Sequence, residues 1–195
     1  MTRTLLVLLG PPAVGKMTVG RQLETAVGFP LFHNHMTIEV VLPMFPFGTP
    51  PFSRLVNSFR AQVFDEVSKS DLPGFTFTYT CAFDQPEEIN YLATIHDRFS
   101  SQGWRVCFVE LRADQKTRLR RNSLPDRIQA KPSKRDLLFA RRNLLEMDEQ
   151  YTLNSTDTLP FGEHIIVDNQ QTTADQAATL IVDRLGLTRI APLTP

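Results

Sequence analysis

Short apolar runs and stretches with helical spacing alternate along this chain. The apolar runs predict five strands, at residues 5–9, 29–32, 75–82, 104–111 and 165–167. Apolar residues at helical spacing, together with the helix-start residues Pro86, Asp114 and Ser133, predict further elements. They are helices at 18–27, 37–42, 53–68, from Pro86 onward, and at 114–121, 133–150 and 173–185. Alternating strands and helices are typical of a parallel sheet covered on both faces. The pattern therefore predicts an α/β fold, a three-layer α/β/α arrangement around a five-stranded, mostly parallel sheet.

Two segments near residue 50 have distinct patterns. Residues 43–51 are rich in proline and aromatic side chains, which predicts an exposed or lid-like loop. The helix after it is expected to place its apolar residues on one side, namely Phe52, Leu55, Val56, Phe59, Val63 and Val67.

Composition narrows the class of protein. The 195 residues contain 21 Lys and Arg against 21 Asp and Glu, so overall charge gives no attraction to nucleic acid or to a membrane surface. No apolar stretch approaches membrane-spanning length. Cys81 and Cys107 lie in strand-like runs, which indicates core thiols of a reducing compartment. We expect one cytoplasmic domain over residues 1–195, a monomer or weak dimer.

The segment between the first strand and the first helix predicts a phosphate site. It runs Gly10-Pro11-Pro12-Ala13-Val14-Gly15-Lys16-Met17-Thr18. Gly10 and Gly15 allow a tight bend in which backbone N–H groups converge on an anion. The positive end of the next helix and the ammonium group of Lys16 add to this attraction. Strand, loop and helix together predict binding of a nucleoside triphosphate.

The position that usually supplies a metal ligand is changed in this loop. Phosphate loops place Ser or Thr directly after the lysine, where its hydroxyl reaches Mg²⁺, but here Met17 follows Lys16. Either Thr18 takes over that role or a water molecule holds the metal. The loop resembles that of the nucleoside monophosphate kinases, whose pattern Gly-Pro-Pro-Gly-x-Gly-Lys-Gly-Thr differs at Ala13 and Met17.

Further segments resemble small-molecule kinases of the phosphate-loop fold, near shikimate and gluconate kinases. Residues 32–39 are similar to the shikimate kinase pattern Phe-x-Asp-x-Asp-x-x-Ile-Glu, with His33 and His35 at the two aspartates. The pair Phe59-Arg60 is similar to a Phe-Arg pair whose arginine binds the acceptor's carboxylate. The resemblance implies an acceptor region near 33–70, a lid near 118–134, and contact of residues 168–172 with adenine.

Each candidate residue has a structural alternative. His33 and His35 point the same way on a strand and could bind an acceptor, transfer a proton or hold a metal, or they could be strand-end polar residues. Asp84 follows the third strand and could be a general base or a Mg²⁺ ligand, or it could cap the next helix. Arg60 could clamp an anion or form a surface ion pair.

The basic stretch after the fourth strand supplies the remaining candidates. Its cations are Arg118, Arg120, Arg121, Arg127 and Lys131. Arg118 and Arg121 share one side of a helix, so we favour this pair for contact with the triphosphate, although a solvated basic face is the alternative. Nucleic-acid binding is not expected, because no aromatic residues interleave with these cations.

The candidate site is therefore as follows. The predicted catalytic residues are Lys16, Asp84, Arg118 and Arg121. The predicted nucleotide-binding residues are Gly10, Pro12, Ala13, Val14, Gly15, Lys16, Met17, Thr18, Arg118 and Gln170. The predicted substrate-binding residues are His33, Asn34, His35, Arg60 and Arg127, and the predicted metal ligands are Thr18 and Asp84.

These residues predict a kinase that uses ATP and Mg²⁺ to phosphorylate a small hydroxylated or anionic metabolite. Two alternatives stay open at the level of sequence. Met17 is compatible with a nucleotide-binding module that senses or switches without transferring phosphate. The acceptor could also be an antibiotic or the end of a nucleic acid.

Overall fold

The computed structural model describes residues 2–124, 133 and 136–190. Strands and helices alternate along these residues. The strands are β1 (Thr4–Leu9), β2 (Leu31–His33), β3 (Gly74–Thr78), β4 (Arg105–Arg112) and β5 (Glu163–Asp168). The helices are α1 (Lys16–Val27), α2 (His35–Val41), α3 (Pro50–Lys69), α4 (Pro86–Ser100), α5 (Gln115–Asn122), α6 (Leu137–Gln150) and α7 (Ala174–Leu185).

The five strands form one parallel sheet in the order β2-β3-β1-β4-β5. Its central strand β1 is fully buried, and its residues alternate between two apolar clusters. Leu6 and Leu8 pack with α1 and α7 on one face, whereas Leu5, Val7 and Leu9 pack with α3 and α4 on the other. This alternation follows from the two-residue period of a strand. The predicted α/β/α arrangement is confirmed.

Helix α3 differs from the prediction in the side that it buries. Its buried residues recur every four positions and are Phe52, Val56, Arg60, Phe64 and Ser68. Leu55 and Phe59, expected on the buried side, are 44% and 49% exposed. The expectation counted apolar residues only. It therefore missed that the polar Arg60 and Ser68 complete the buried stripe.

Several boundaries move relative to the predictions. Strand β3 ends at Thr78 rather than at residue 82, so the chain leaves the sheet earlier than expected. Helix α6 begins after Asp136, whose side chain accepts a hydrogen bond from the Phe139 amide, rather than at residue 133. Asp114 caps α5 and Thr173 caps α7, each by accepting a hydrogen bond from a backbone amide in the first turn.

Both cysteines of the chain are in the protein core. Cys81 and Cys107 are buried and unpaired, as predicted. Burial raises the pKa of each thiol to about 12, so both stay protonated at neutral pH.

Among the described helices, none combines the length and apolar character needed to cross a membrane.

Candidate active site

A cavity of about 1190 Å³ opens at the carboxyl ends of the central strands. Parallel α/β sheets bind their ligands at this edge. The glycine loop (residues 10–18) lies along one side, and α2 and α3 form another. Residues 78–82, the start of α4, α6 and residues 169–174 complete the described wall. This volume exceeds the usual upper limit for one small ligand, so it suits two ligands bound side by side.

The backbone of the glycine loop has the shape of an anion cradle. Gly10, Ala13 and Gly15 have φ angles of 124°, 62° and 113°, separated by residues in other conformations. Such alternation turns successive N–H groups toward one point. Helix α1 begins directly after Gly15, and its first-turn N–H groups have no acceptors within the helix. The loop therefore fits a phosphate group.

The side chain of Lys16 lies over this loop. Its Nζ donates to the carbonyl oxygens of Gly10 and Pro11, the latter at 3.0 Å, and to the Thr80 hydroxyl at 2.9 Å. Thr80 lies two residues beyond the end of β3, so the lysine connects the loop after β1 with the loop after β3. Lys16 also lines the cavity.

The environments and side-chain atoms of Met17 and Thr18 indicate which of the two could bind Mg²⁺. Met17 is 7% exposed and Thr18 is exposed, and both line the cavity. A thioether does not suit a hard cation such as Mg²⁺, which prefers oxygen ligands. Of the two residues, Thr18 carries the only side-chain oxygen.

The two favoured arginines are in different environments. Arg118 forms a bidentate ion pair with Asp148 of α6, at 3.0 and 2.6 Å, and donates to the carbonyl oxygens of Ala113 and Pro12. It is buried and, in the described structure, does not line the cavity. These contacts correspond to a role in tying helices together, and the structure does not bring Arg118 to the predicted phosphate contact.

Arg121, by contrast, lines the cavity beside the glycine loop. It donates to the carbonyl oxygens of Val14, at 3.0 Å, and of Asn169, at 2.8 Å. Burial lowers the pKa of its guanidinium group, with a smaller contribution from Arg120. Arg121 thereby joins the glycine loop to the loop after β5.

The loop after β5 contains two buried polar atoms without hydrogen-bond partners among the described residues. Asn169 donates from Nδ2 to the Val14 carbonyl at 2.9 Å, which fixes the orientation of its amide. Its Oδ1 is buried without a hydrogen-bond partner among the described residues, and so is the Thr172 hydroxyl. Both residues line the cavity. The predicted residue, Gln170, instead accepts from the Asp114 amide and lies outside the described lining.

The predicted carboxylate after β3, Asp84, lies outside the described lining of the cavity. Asp84 is exposed, accepts from the Thr152 amide at 3.0 Å and lies away from the described cavity wall. It does not cap α4 either, since that helix begins after Gln85 without a side-chain cap. Glu87 and Glu88 line the cavity instead. Glu88 accepts a hydrogen bond from Tyr79 at 2.7 Å.

Arg60 lies on the opposite side of the cavity from the glycine loop's helix. It is 6% exposed, and its Nε donates to the Thr37 hydroxyl at 3.2 Å. Burial lowers its pKa, and Tyr91, Tyr79 and Glu88 partly offset this effect. Within the described part of the chain, no carboxylate forms an ion pair with it. A surface ion pair is therefore not its role.

The His33–His35 segment contributes two of its three residues to the cavity. Asn34 and His35 line it, whereas His33 ends β2 beside Thr78 and lies outside the described lining. His35 Nδ1 lies 3.1 Å from Glu39 Oε1. The side-chain oxygen of Asn34 is buried without a hydrogen-bond partner among the described residues. Arg127 and Lys131 lie outside the described residues.

Sequence reasoning missed several residues of this cavity, including Tyr79, Glu88 and Tyr151. Asn169 was not among the named candidate residues, but it lies within residues 168–172, the loop that the family resemblance placed at the adenine. Tyr79 lay within the predicted third strand, which was too long, and Glu88 lay after it. No local sequence pattern marks either residue as part of a site.

Several solved structures similar to this chain are kinases of small molecules. A sugar kinase from Janibacter sp. shares 16% identity over 96% of both chains, with a TM-score of 0.57. A shikimate kinase from Acinetobacter baumannii shares 19% identity over 94% of this chain and 93% of that one, with a TM-score of 0.55. A gluconokinase from Sinorhizobium meliloti shares 14% identity over 93% of both chains, with a TM-score of 0.53.

No protein-family model matches the chain, and the search of curated proteins found no match. The likeness to solved structures extends over nearly the whole chain at low identity, so it concerns the fold. The expected P-loop small-molecule kinase fold is confirmed.

Proposed function

We propose that this protein is an ATP-dependent kinase that phosphorylates a small hydroxylated or anionic metabolite. One observation carries the proposal: a single cavity contains both the glycine loop with Lys16 and the buried Arg60. The first group suits a triphosphate and the second suits an anionic acceptor. The kinase names of the structural neighbours support the same class of reaction.

In this proposal the nucleotide lies between the glycine loop and the loop after β5. Backbone N–H groups of the glycine loop and Lys16 hold the phosphates. Asn169 and Thr172 supply buried polar atoms to the base or ribose. Arg121, which already joins the two loops, completes this half of the site.

The reaction joins the acceptor oxygen to the γ-phosphorus while the bond from that phosphorus to the β,γ-bridging oxygen breaks. ADP leaves with the electron pair, and the acceptor's hydroxyl proton passes to a base. His35 is our candidate for that base, because Glu39 holds its Nδ1 and so orients the ring beside the cavity. Lys16 stabilises the negative charge that develops on the transferred group.

Mg²⁺ neutralises phosphate charge in such transfers. The donor set of the cavity fits this ion, since Thr18 offers a hydroxyl and Glu87 and Glu88 offer carboxylates. We propose these residues, rather than Asp84, as the ones that hold it, directly or through water.

The test uses the full-length protein, γ-labelled ATP, Mg²⁺ and a fractionated small-molecule extract. We expect a labelled product that forms about 10²- to 10³-fold more slowly with Lys16→Ala, the usual cost of removing one charge-stabilising donor. Lys69→Ala is the control, because Lys69 is 59% exposed and pairs with Asp65 on the surface. It should retain wild-type transfer.

Two results would contradict the proposal. One is nucleotide binding indifferent to Mg²⁺ with no transfer to any fraction, which would favour a sensing or switching module. The other is ATP hydrolysis that no fraction alters. The mass of a labelled product would also distinguish a metabolite from an antibiotic or a nucleic-acid end.

A further inference from the structure

The acceptor side of the cavity has an apolar wall. Five side chains of the α2–α3 region line it, namely Ile38, Leu42, Phe47, Phe52 and Val56. Most of them belong to a small apolar cluster separate from the two clusters that pack on the sheet. The rings of Phe47 and Phe52 lie 5.1 Å apart. The wall therefore has a buried apolar base formed by Ile38, Phe52 and Val56, beside which Ser53 and Asn57 of α3 also line the cavity.

The outer part of this wall lies at the mouth of the cavity. Phe47 lines the cavity and is nevertheless 72% exposed. Phe139 and Leu124 also line it, and each is about half exposed. Covering a large, water-exposed apolar side chain with a ligand is favourable, because it removes apolar surface from water.

The groups near the wall's base are polar and suit a different part of a ligand. Arg60 offers a buried cation that forms no close ion pair with a carboxylate of the described residues, although Glu88 acts on it from farther away. Asn34 offers a buried oxygen without a hydrogen-bond partner among the described residues. A compact polyol would satisfy these two groups, but its remaining hydroxyls would face the apolar wall without partners, which is costly.

We propose that the acceptor is amphipathic: a hydroxylated anion that also carries an aromatic or branched apolar group, which lies against Phe47 and Phe52. This inference rests on the proposed function, because it assigns the acceptor half of the same cavity. Arg60 binds the anionic group, and the apolar wall determines specificity.

The test compares two ligands that differ only by one ring. Lactate and 3-phenyllactate share a carboxylate and a neighbouring hydroxyl, so their affinities isolate the contribution of the phenyl group. We expect calorimetry with the full-length protein and a non-hydrolysable ATP analogue to give at least tenfold tighter binding of 3-phenyllactate, as burial of one ring predicts.

Two variants locate the effect. Phe47→Ser should reduce the preference for 3-phenyllactate to less than threefold, and the exposure of Phe47 means that the fold tolerates the change. Leu138→Ser is the control, because Leu138 is 81% exposed on α6 and does not line the described cavity. It should keep the wild-type preference.

Equal affinity for both ligands, tighter binding of gluconate than of 3-phenyllactate, or no binding of any of the three would overturn this inference. A preference that Phe47→Ser leaves unchanged would do the same. None of these outcomes affects the labelled-phosphate experiment, whose result depends on Lys16 and not on the wall. The two proposals therefore fail separately.

Discussion

Ala13 adopts a φ angle of 62°, in the left-handed region that costs most residues about 1 kcal/mol or more. The resemblance to nucleoside monophosphate kinases places glycine at this position. Replacing Ala13 by glycine would remove the strain, but it would also increase the entropy of the unfolded chain and remove a buried methyl group. These effects are similar in size and opposite in sign.

We therefore expect Ala13→Gly to change the free energy of unfolding by less than about 0.5 kcal/mol, measured by urea denaturation. Ala61→Gly is the matched control, since Ala61 is exposed in the middle of α3 and should lose about 1 kcal/mol. Equal losses at the two positions would show that Ala13 is not strained.

At the scale of elements, α5 and α6 are joined by the ion pair between Arg118 and Asp148. Both side chains are largely buried, at 7% and 14% exposure. Breaking such a pair leaves one charge without its partner in a poorly solvated place. Because Arg118 also donates to the Pro12 carbonyl, the glycine loop depends indirectly on this contact.

Asp148→Asn should lower the free energy of unfolding by about 3 kcal/mol, the lower end for a broken buried pair. Glu146→Gln is the control, because its pair with Arg142 is more than half exposed and should contribute less than about 0.5 kcal/mol. Thermal denaturation of both variants measures the difference. Similar melting temperatures would mean that the α5–α6 contact is supported by packing alone.

The same pair shows what the sequence can and cannot predict. The glycine loop was predictable because its strand, bend, lysine and helix are contiguous. The structural role of Arg118 was not, because it depends on Asp148, 30 residues away. Asp84 lies outside the described cavity lining for a local reason: β3 ends at Thr78, so the sheet edge falls at Tyr79 and Thr80. An error of a few residues in a predicted strand end therefore changes which residues are expected at the site.

At the scale of the whole molecule, a buried carboxylate joins β4, β5 and the loop between α6 and β5. Glu110 is fully buried and accepts from Arg112 at 2.7 Å, from Asn154 at 2.8 Å and from Ser155. His164 completes the group, with Nε2 3.4 Å from Glu110. The Leu159 amide donates to Nδ1 of His164, which leaves the ring proton on the nitrogen that faces Glu110.

This network makes stability depend on pH. Burial by itself would raise the pKa of Glu110, but the nearby His164 ring and hydrogen bonds from Arg112 and Ser155 outweigh it and lower the pKa from 4.5 to about 2. A carboxyl group with a lowered pKa stabilises the folded state above its unfolded pKa. That contribution is lost as the pH falls from about 4.5 toward 2.

Glu110→Gln should therefore lower the free energy of unfolding by about 1–3 kcal/mol at pH 7, the cost of disrupting buried hydrogen bonds to a charged group. The difference from wild type should shrink as the pH falls below 4.5, because wild-type Glu110 then loses its own charge on unfolding. Melting temperatures between pH 7 and pH 3 measure this convergence.

Glu149→Gln, a change on the exposed side of α6, is the control and should follow the wild-type curve. A gap between wild type and Glu110→Gln that stays constant down to pH 3 would mean that the network acts through shape and not through the charge of Glu110.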